Sequence, residues 1–169
     1  QKFVKPATAA AELSYCEQLL RESHHAVGTA QVFISHAWAY HFLDVVDALQ
    51  FHLRATPDII IWFDLFSNNQ HAAATLEFDW WSTTFKSAIE QFGYTIMVLS
   101  PWNNPVPYKR AWCVFEAYCT AAAKGCKFEV AMSRKHQESF IRDMQSDPVK
   151  LMDAMLAEIN AERCECWKP

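Results

Sequence analysis

Four short apolar runs recur along the chain, each followed, directly or after a loop, by a segment of helical pattern. The runs are Val32-Phe33-Ile34, Ile59-Ile60-Ile61-Trp62-Phe63, Tyr94 to Leu99 and Phe128 to Met132. The second run has no polar alternation at all, which marks a strand covered on both faces. A parallel sheet between two helical layers is the architecture that supplies such cover, and alternation of strand with helix is its sequence signature. Between the runs, Phe42, Val45, Val46, Leu49 and Leu53 recur at spacings of three and four and predict a helix over about 41–55. Further helices are expected over about 80–92, 108–124, 134–144 and 147–160, with Gly93 and Gly125 as stops. Residues 6–26 read as one N-terminal accessory helix. Pro6 and Thr8 suit its start, Leu13, Cys16, Leu19 and Leu20 form its stripe, and Gly28 lies past its end. Residues 162–167 are the candidate for a fifth, edge strand. The expected organisation is therefore an accessory helix within 1–28 and a single α/β domain over 29–169, a length that one core can stabilise.

Composition removes several classes of function. Only three glycines are present, and neither G-x-G-x-x-G nor a Walker A loop can be written, so a bound nucleotide must be held by side chains and helix ends. The formal net charge is -4 and no basic run exceeds the pair Lys109-Arg110, which gives no electrostatic basis for nucleic-acid binding. The six cysteines include no C-x-x-C pair, so no metal site is expected, and the pattern suits a reducing, cytoplasmic compartment. No apolar run reaches 18 residues, so no membrane span is expected. A start at Gln1 and an end at Trp-Lys-Pro suggest a piece of a longer protein. Seven tryptophans are a high count for a chain of this size, and Trp is enriched where ligands or partners dock.

The four apolar runs end in polar residues: Ser35-His36, Asp64, Ser100 and Ser133. Any one of them suits a helix cap. Together they place the expected site on the carboxyl rim of the sheet, where open α/β sheets bind ligands. The connection from Asp64 to Asp79 is long and polar, as functional loops often are.

Three segments then carry a resemblance. Val32-Phe33-Ile34-Ser35-His36 is similar to the first box of the TIR (Toll/interleukin receptor) family, a strand ending in F-[IL]-S-[YFH]. Ala88-Ile89-Glu90 with Thr95 to Ser100 resembles a TIR helix ending in A-I-E and a strand ending in [LF]-S. Arg110-Ala111-Trp112-Cys113-Val114-Phe115-Glu116 resembles the family's S-x-W-C-x-x-E segment. The matches occur in family order and cover roughly residues 30–132. The family's R-D-x-x-P-G-like loop after the second strand is replaced by the longer 64–79 connection, which has no Arg, Pro or Gly. The resemblance implies a flavodoxin-like three-layer sandwich with five parallel strands in the order 2-1-3-4-5. It also implies one of two roles. The first is an NAD+ glycohydrolase that cleaves the nicotinamide–ribose bond, giving ADP-ribose or a cyclic form, and acts when self-associated. The second is a non-catalytic signalling scaffold acting through homotypic contacts. A receiver or flavin binder fits less well, because the first strand ends in Ser-His and no Lys ends a strand.

In the enzymatic reading, the resemblance makes Glu116 the catalytic carboxylate. Cleavage of NAD+ passes through an oxocarbenium-like state and expels neutral nicotinamide. One positioned carboxylate therefore suffices, unlike the pair that ordinary glycosidases need. NAD+ is a substrate here, and no cofactor is called for. Glu116 is expected at the border of an apolar stripe formed by Trp112, Phe115, Tyr118, Cys119 and Ala122, one turn after Trp112. Helix geometry alone leaves open a solvated glutamate paired with Lys109 or Arg110. Ser35, His36 and Trp38 after the first strand, Asp64 after the second, and Trp112 are the candidate substrate contacts. Trp80 and Trp81 should split, one inward and one exposed. His24, His25 and His71 read as solvated surface, and Cys113 as packing.

Overall fold

A computed structural model of the chain describes residues 2–72, 77–157 and 164. The N-terminal segment forms two helices rather than one, α1 (Val4–Thr8) and α2 (Tyr15–Arg21). The break has a local cause. Glu12 adopts φ 50°, and Ser14 opens a new helix with a capping box: its Oγ accepts from Glu17 N at 3.1 Å, while Ser14 N donates to Glu17 Oε2 at 2.8 Å. α2 ends at Arg21, well before Gly28.

β1 (Val32–Ser35) is buried throughout and leads into α3 (Phe42–His52). β2 pairs over Ile61–Trp62 only, and its side chains are half-buried rather than covered on both faces. The reason lies in its place at the sheet edge and in α4 (Asp64–Ser67), which begins immediately after Phe63. α5 (Phe78–Phe92) is closed by Gly93, whose left-handed φ of 65° permits a backbone bond to Ile89 O. β3 (Tyr94–Val98) follows. The helix expected over 108–124 is also divided. A 3-10 turn at Val106–Lys109, stiffened by Pro105 and Pro107, gives way to extended backbone at Arg110, and α6 runs from Ala111 to Ala122. β4 (Lys127–Ala131), α7 (Arg134–Ser146) and α8 (Pro148–Ala157) complete the described chain.

Among the described residues the sheet is parallel and four-stranded, in the order β2-β1-β3-β4. The fifth strand expected at 162–167 lies outside the described residues apart from Cys164, whose Sγ donates to Tyr108 O at 3.1 Å. Successive strand residues serve opposite faces. Val32, Ile34 and Ile96 pack with Val45, Ala48 and Leu49 of α3. Phe33 and Trp62 pack with Phe85 and Ile89 of α5 and Cys119 of α6. No helix among the described residues is long and apolar enough to cross a membrane.

The two N-terminal helices clamp the segment that follows β2. Tyr15 packs on Phe66 with ring centroids 5.8 Å apart, Asn69 Nδ2 donates to Glu12 O at 2.6 Å, and Thr8 Oγ1 shares a 2.8 Å hydrogen bond with His71 Nε2. His71 is therefore a docking contact, not the solvated surface residue its polar setting suggests. His24 and His25 are exposed.

Candidate functional site

β1 ends with Ser35 facing α6. On that helix the side chains turned toward the sheet are Cys113, Glu116, Cys119 and Thr120, whereas Tyr118 is 68% exposed. Glu116 is thus inside the buried face rather than at its border, and Tyr118 does not belong to that face. The centre of the stripe is set by what packs across it, and here that is the wholly buried β1. Ser35 Oγ donates to Glu116 Oε2 at 2.5 Å, and only 7% of Glu116 is exposed. One turn on, Thr120 Oγ1 bonds to Glu116 O at 2.8 Å and to Thr95 Oγ1 at 2.9 Å, which fixes the helix against β3.

Glu116 forms part of the lining of a cavity of about 620 Å³. Its walls come from the turn after β1 (His36, Trp38), the segment after β2 (Asp64, Gln70), α5 (Trp81, Phe85) and α6 (Arg110, Trp112, Cys113). On the β2 side Asp64 organises the wall. Its Oδ1 accepts from His36 Nε2 at 2.9 Å and its Oδ2 from Trp38 Nε1 at 2.6 Å. Gln70, buried in the long connection, donates its Nε2 to Asp64 O at 3.2 Å. The His36 ring lies nearly parallel to Phe63, 4.5 Å between centroids, and to Trp38, 6.4 Å away. Trp38 stays 48% exposed, so a half-open indole is held by its N–H at the cavity wall. The opposite wall is an edge-to-face chain in which Trp81, Phe85 and Trp112 succeed one another at 5.5 and 5.6 Å.

Burial pushes the Glu116 carboxyl up to about 8. The Ser35 hydroxyl works against this and the negative charge of Asp64 adds to it. At neutral pH burial therefore holds Glu116 mainly as the acid, and a cation brought against it favours the carboxylate. Cys113 Sγ donates to His36 O at 3.4 Å, and burial drives its thiol well above the usual range, with the Glu116 charge adding to the rise. That is the environment of a packed thiol rather than a nucleophile. No group of three or more His, Cys, Asp or Glu side chains among the described residues converges as metal ligands.

All six residues singled out in the sequence meet here. His36, Trp38, Asp64, Trp112 and Glu116 line the cavity, and Ser35, fully buried, reaches it through its bond to Glu116. Trp80 is 45% exposed while Trp81 turns inward, as their adjacency on a helix requires. Sequence reasoning missed Asn68, Gln70, Trp81, Phe85 and Arg110 as lining residues. The Trp81–Phe85 spacing of four was the available signal for that wall, and the position of Arg110 just before the Trp-Cys pair for the other. The four polar strand ends do not share one site. Ser100 lines a smaller hollow of about 380 Å³, with Tyr40, His41, Asp44 and His136, at the β1–β3 switch in strand order. Ser133 caps α7, accepting from His136 N at 3.4 Å. The chain matches no protein-family model, no curated protein and no solved structure.

Proposed function

We propose that this chain is a TIR-type NAD+ glycohydrolase with Glu116 as its catalytic carboxylate. One observation carries the reading: a glutamate, almost completely buried and fixed by Ser35, lines an aromatic-walled cavity at the rim of a parallel sheet. The strand order β2-β1-β3-β4 is also the first four places of the flavodoxin-like order 2-1-3-4-5 that the resemblance implies. The substrate arrives with a positively charged pyridinium. Its charge stabilises ionised Glu116, so the acid that burial holds neutral becomes the carboxylate that the reaction uses. The C1′–N bond breaks with its electron pair leaving on nitrogen, which releases neutral nicotinamide. The positive charge that develops on the ribose faces the carboxylate, an electrostatic gain that water would screen in an open site. Water then adds to C1′ and gives up its proton, yielding ADP-ribose. Attack by the adenine ring in place of water yields the cyclic product.

Trp38, Phe42 and Leu43, 48%, 45% and 75% exposed within one stretch of six residues, favour a second reading. Apolar side chains presented together suit contact with another copy of the chain, which fits activation by self-association and would equally serve a non-catalytic scaffold. The test is nicotinamide release from NAD+ by concentrated or tethered protein, alongside Glu116→Ala and Glu116→Gln. Wild type releases nicotinamide, and both variants lose roughly 100-fold or more while remaining folded. Equal rates in all three reject the catalytic role of Glu116. Silence in all three, even when tethered, leaves the scaffold reading.

A further inference from the structure

We infer that Arg110 is the positioning residue for the diphosphate of the dinucleotide, so that the cavity selects a ligand with a cationic ring at one end and a phosphate at the other. The inference rests on the hydrolase reading of the same site and adds a subsite to it. The charged lining is asymmetric. Asp64 and Glu116 supply acid groups, and Arg110 is the only Lys or Arg that lines the cavity among the described residues. Arg110 caps the start of α6 with extended backbone, and Glu116 lies six residues further along, a rise of about 9 Å on the helix axis. Both residues line the one cavity, and their backbone positions are set apart along the wall that α6 contributes. The guanidinium acts on Cys113, whereas burial, Ser35 and Asp64 govern Glu116.

That separation fits the shape of the substrate. In NAD+ a single ribose stands between the pyridinium, whose bond is cut, and the phosphates. A pyridinium placed against Glu116 therefore directs the phosphates along α6. The negative charge of Asp64 repels them from the β2 side, and Arg110 offers a planar, permanently charged fork that matches two phosphate oxygens at once. No glycine-rich loop is present to share that task. Arg110 is a half-buried residue, and a charge near a cavity wall is screened less by solvent than one on an open surface.

ADP carries the diphosphate without the pyridinium and serves as the binding probe. Titration calorimetry should show ADP binding to wild type and to Glu116→Gln, weakening of roughly tenfold to a hundredfold in Arg110→Met, and an intermediate value in Arg110→Lys. In turnover, Arg110→Met should raise KM for NAD+ by a similar factor with kcat little changed. Nicotinamide riboside, which has no phosphate, should be cleaved alike by wild type and Arg110→Met. Equal ADP affinity in wild type and Arg110→Met, no ADP binding by wild type, or a matching loss of riboside cleavage in Arg110→Met overturns the inference. If Arg110→Met does not fold, Arg110→Lys and Arg110→Gln carry the same comparison. ADP binding that depends on Arg110, in a protein that never releases nicotinamide, overturns the hydrolase reading and leaves the phosphate subsite standing.

Discussion

Glu116 is an acid placed where an acid is costly. Its carboxyl ionises near pH 4.5 in an unstructured chain and near 8 in the fold. Between these values the folded state binds more protons than the unfolded state, so stability falls as pH rises. The contribution is fully present below about pH 4.5 and lost once pH passes about 8, a change on the order of 5 kcal/mol. Glu116→Gln keeps the shape and removes the titration. Its melting temperature should therefore pull ahead of wild type across pH 5 to 9, and parallel curves over that range would contradict the burial argument. Ser35 acts through Glu116. Its hydroxyl favours the charged form, so Ser35→Ala should move the rise of kcat/KM with pH to higher pH, whereas a residue that only packs would leave that position unchanged. The Trp-Cys-x-x-Glu segment singles out Glu116 as the candidate carboxylate, but the depth of its burial was not legible in the sequence. Periodicity gives the width of a helical stripe, and the all-buried β1 opposite α6 decides its centre.

Among the elements, the strands were the most legible, because apolar runs have few places to go in a protein of this size. Where they failed, position was the cause. The Ile59–Phe63 run promised a fully covered strand, yet an edge place and the immediate start of α4 leave only a two-residue ladder. The N-terminal stripe hid a break that Ser14-x-x-Glu17 announces, since an apolar stripe can be continuous in sequence across two helices. That break matters for the site. α2 packs on α4, whose first residue is Asp64, and contacts from Thr8 and Glu12 hold His71 and Asn69. Ser14→Ala should cost about 1 kcal/mol and speed amide exchange over residues 64–72 as well as in α2. Exchange that changes only within α2 would show that the clamp does not support the cavity wall. At the far edge, Glu129 ties β4 down by accepting from Lys127, Tyr94 and His52, an arrangement no pattern in the chain revealed because its partners come from three elements.

At the scale of the whole molecule, the sheet brings together residues far apart in the chain. Ser35 and Glu116 are 81 positions apart and share one hydrogen bond; His36 and Asp64 are 28 apart and share another. The carboxyl rim could be singled out because four strands end in polar residues, and two hollows lie there; that they are two was not legible, since it follows from which helix covers which face. Asn68, Gln70 and Arg110 were equally hard to foresee: loops and helix starts carry no periodicity to place them, and Arg110 stands where the resembling pattern has serine. The proposed reaction needs the Glu116 carboxyl, which burial holds toward its protonated form, to be ionised when it faces the sugar cation. The most direct test of the proposed activity is the pH dependence of kcat/KM for nicotinamide release, which reports on groups as they titrate before substrate binds. A tenfold rise per pH unit that levels off near pH 8 is expected, with no such rise in the residual activity of Glu116→Gln. A wild-type profile that is flat from pH 5 to 9, or one that Glu116→Gln reproduces, would contradict it.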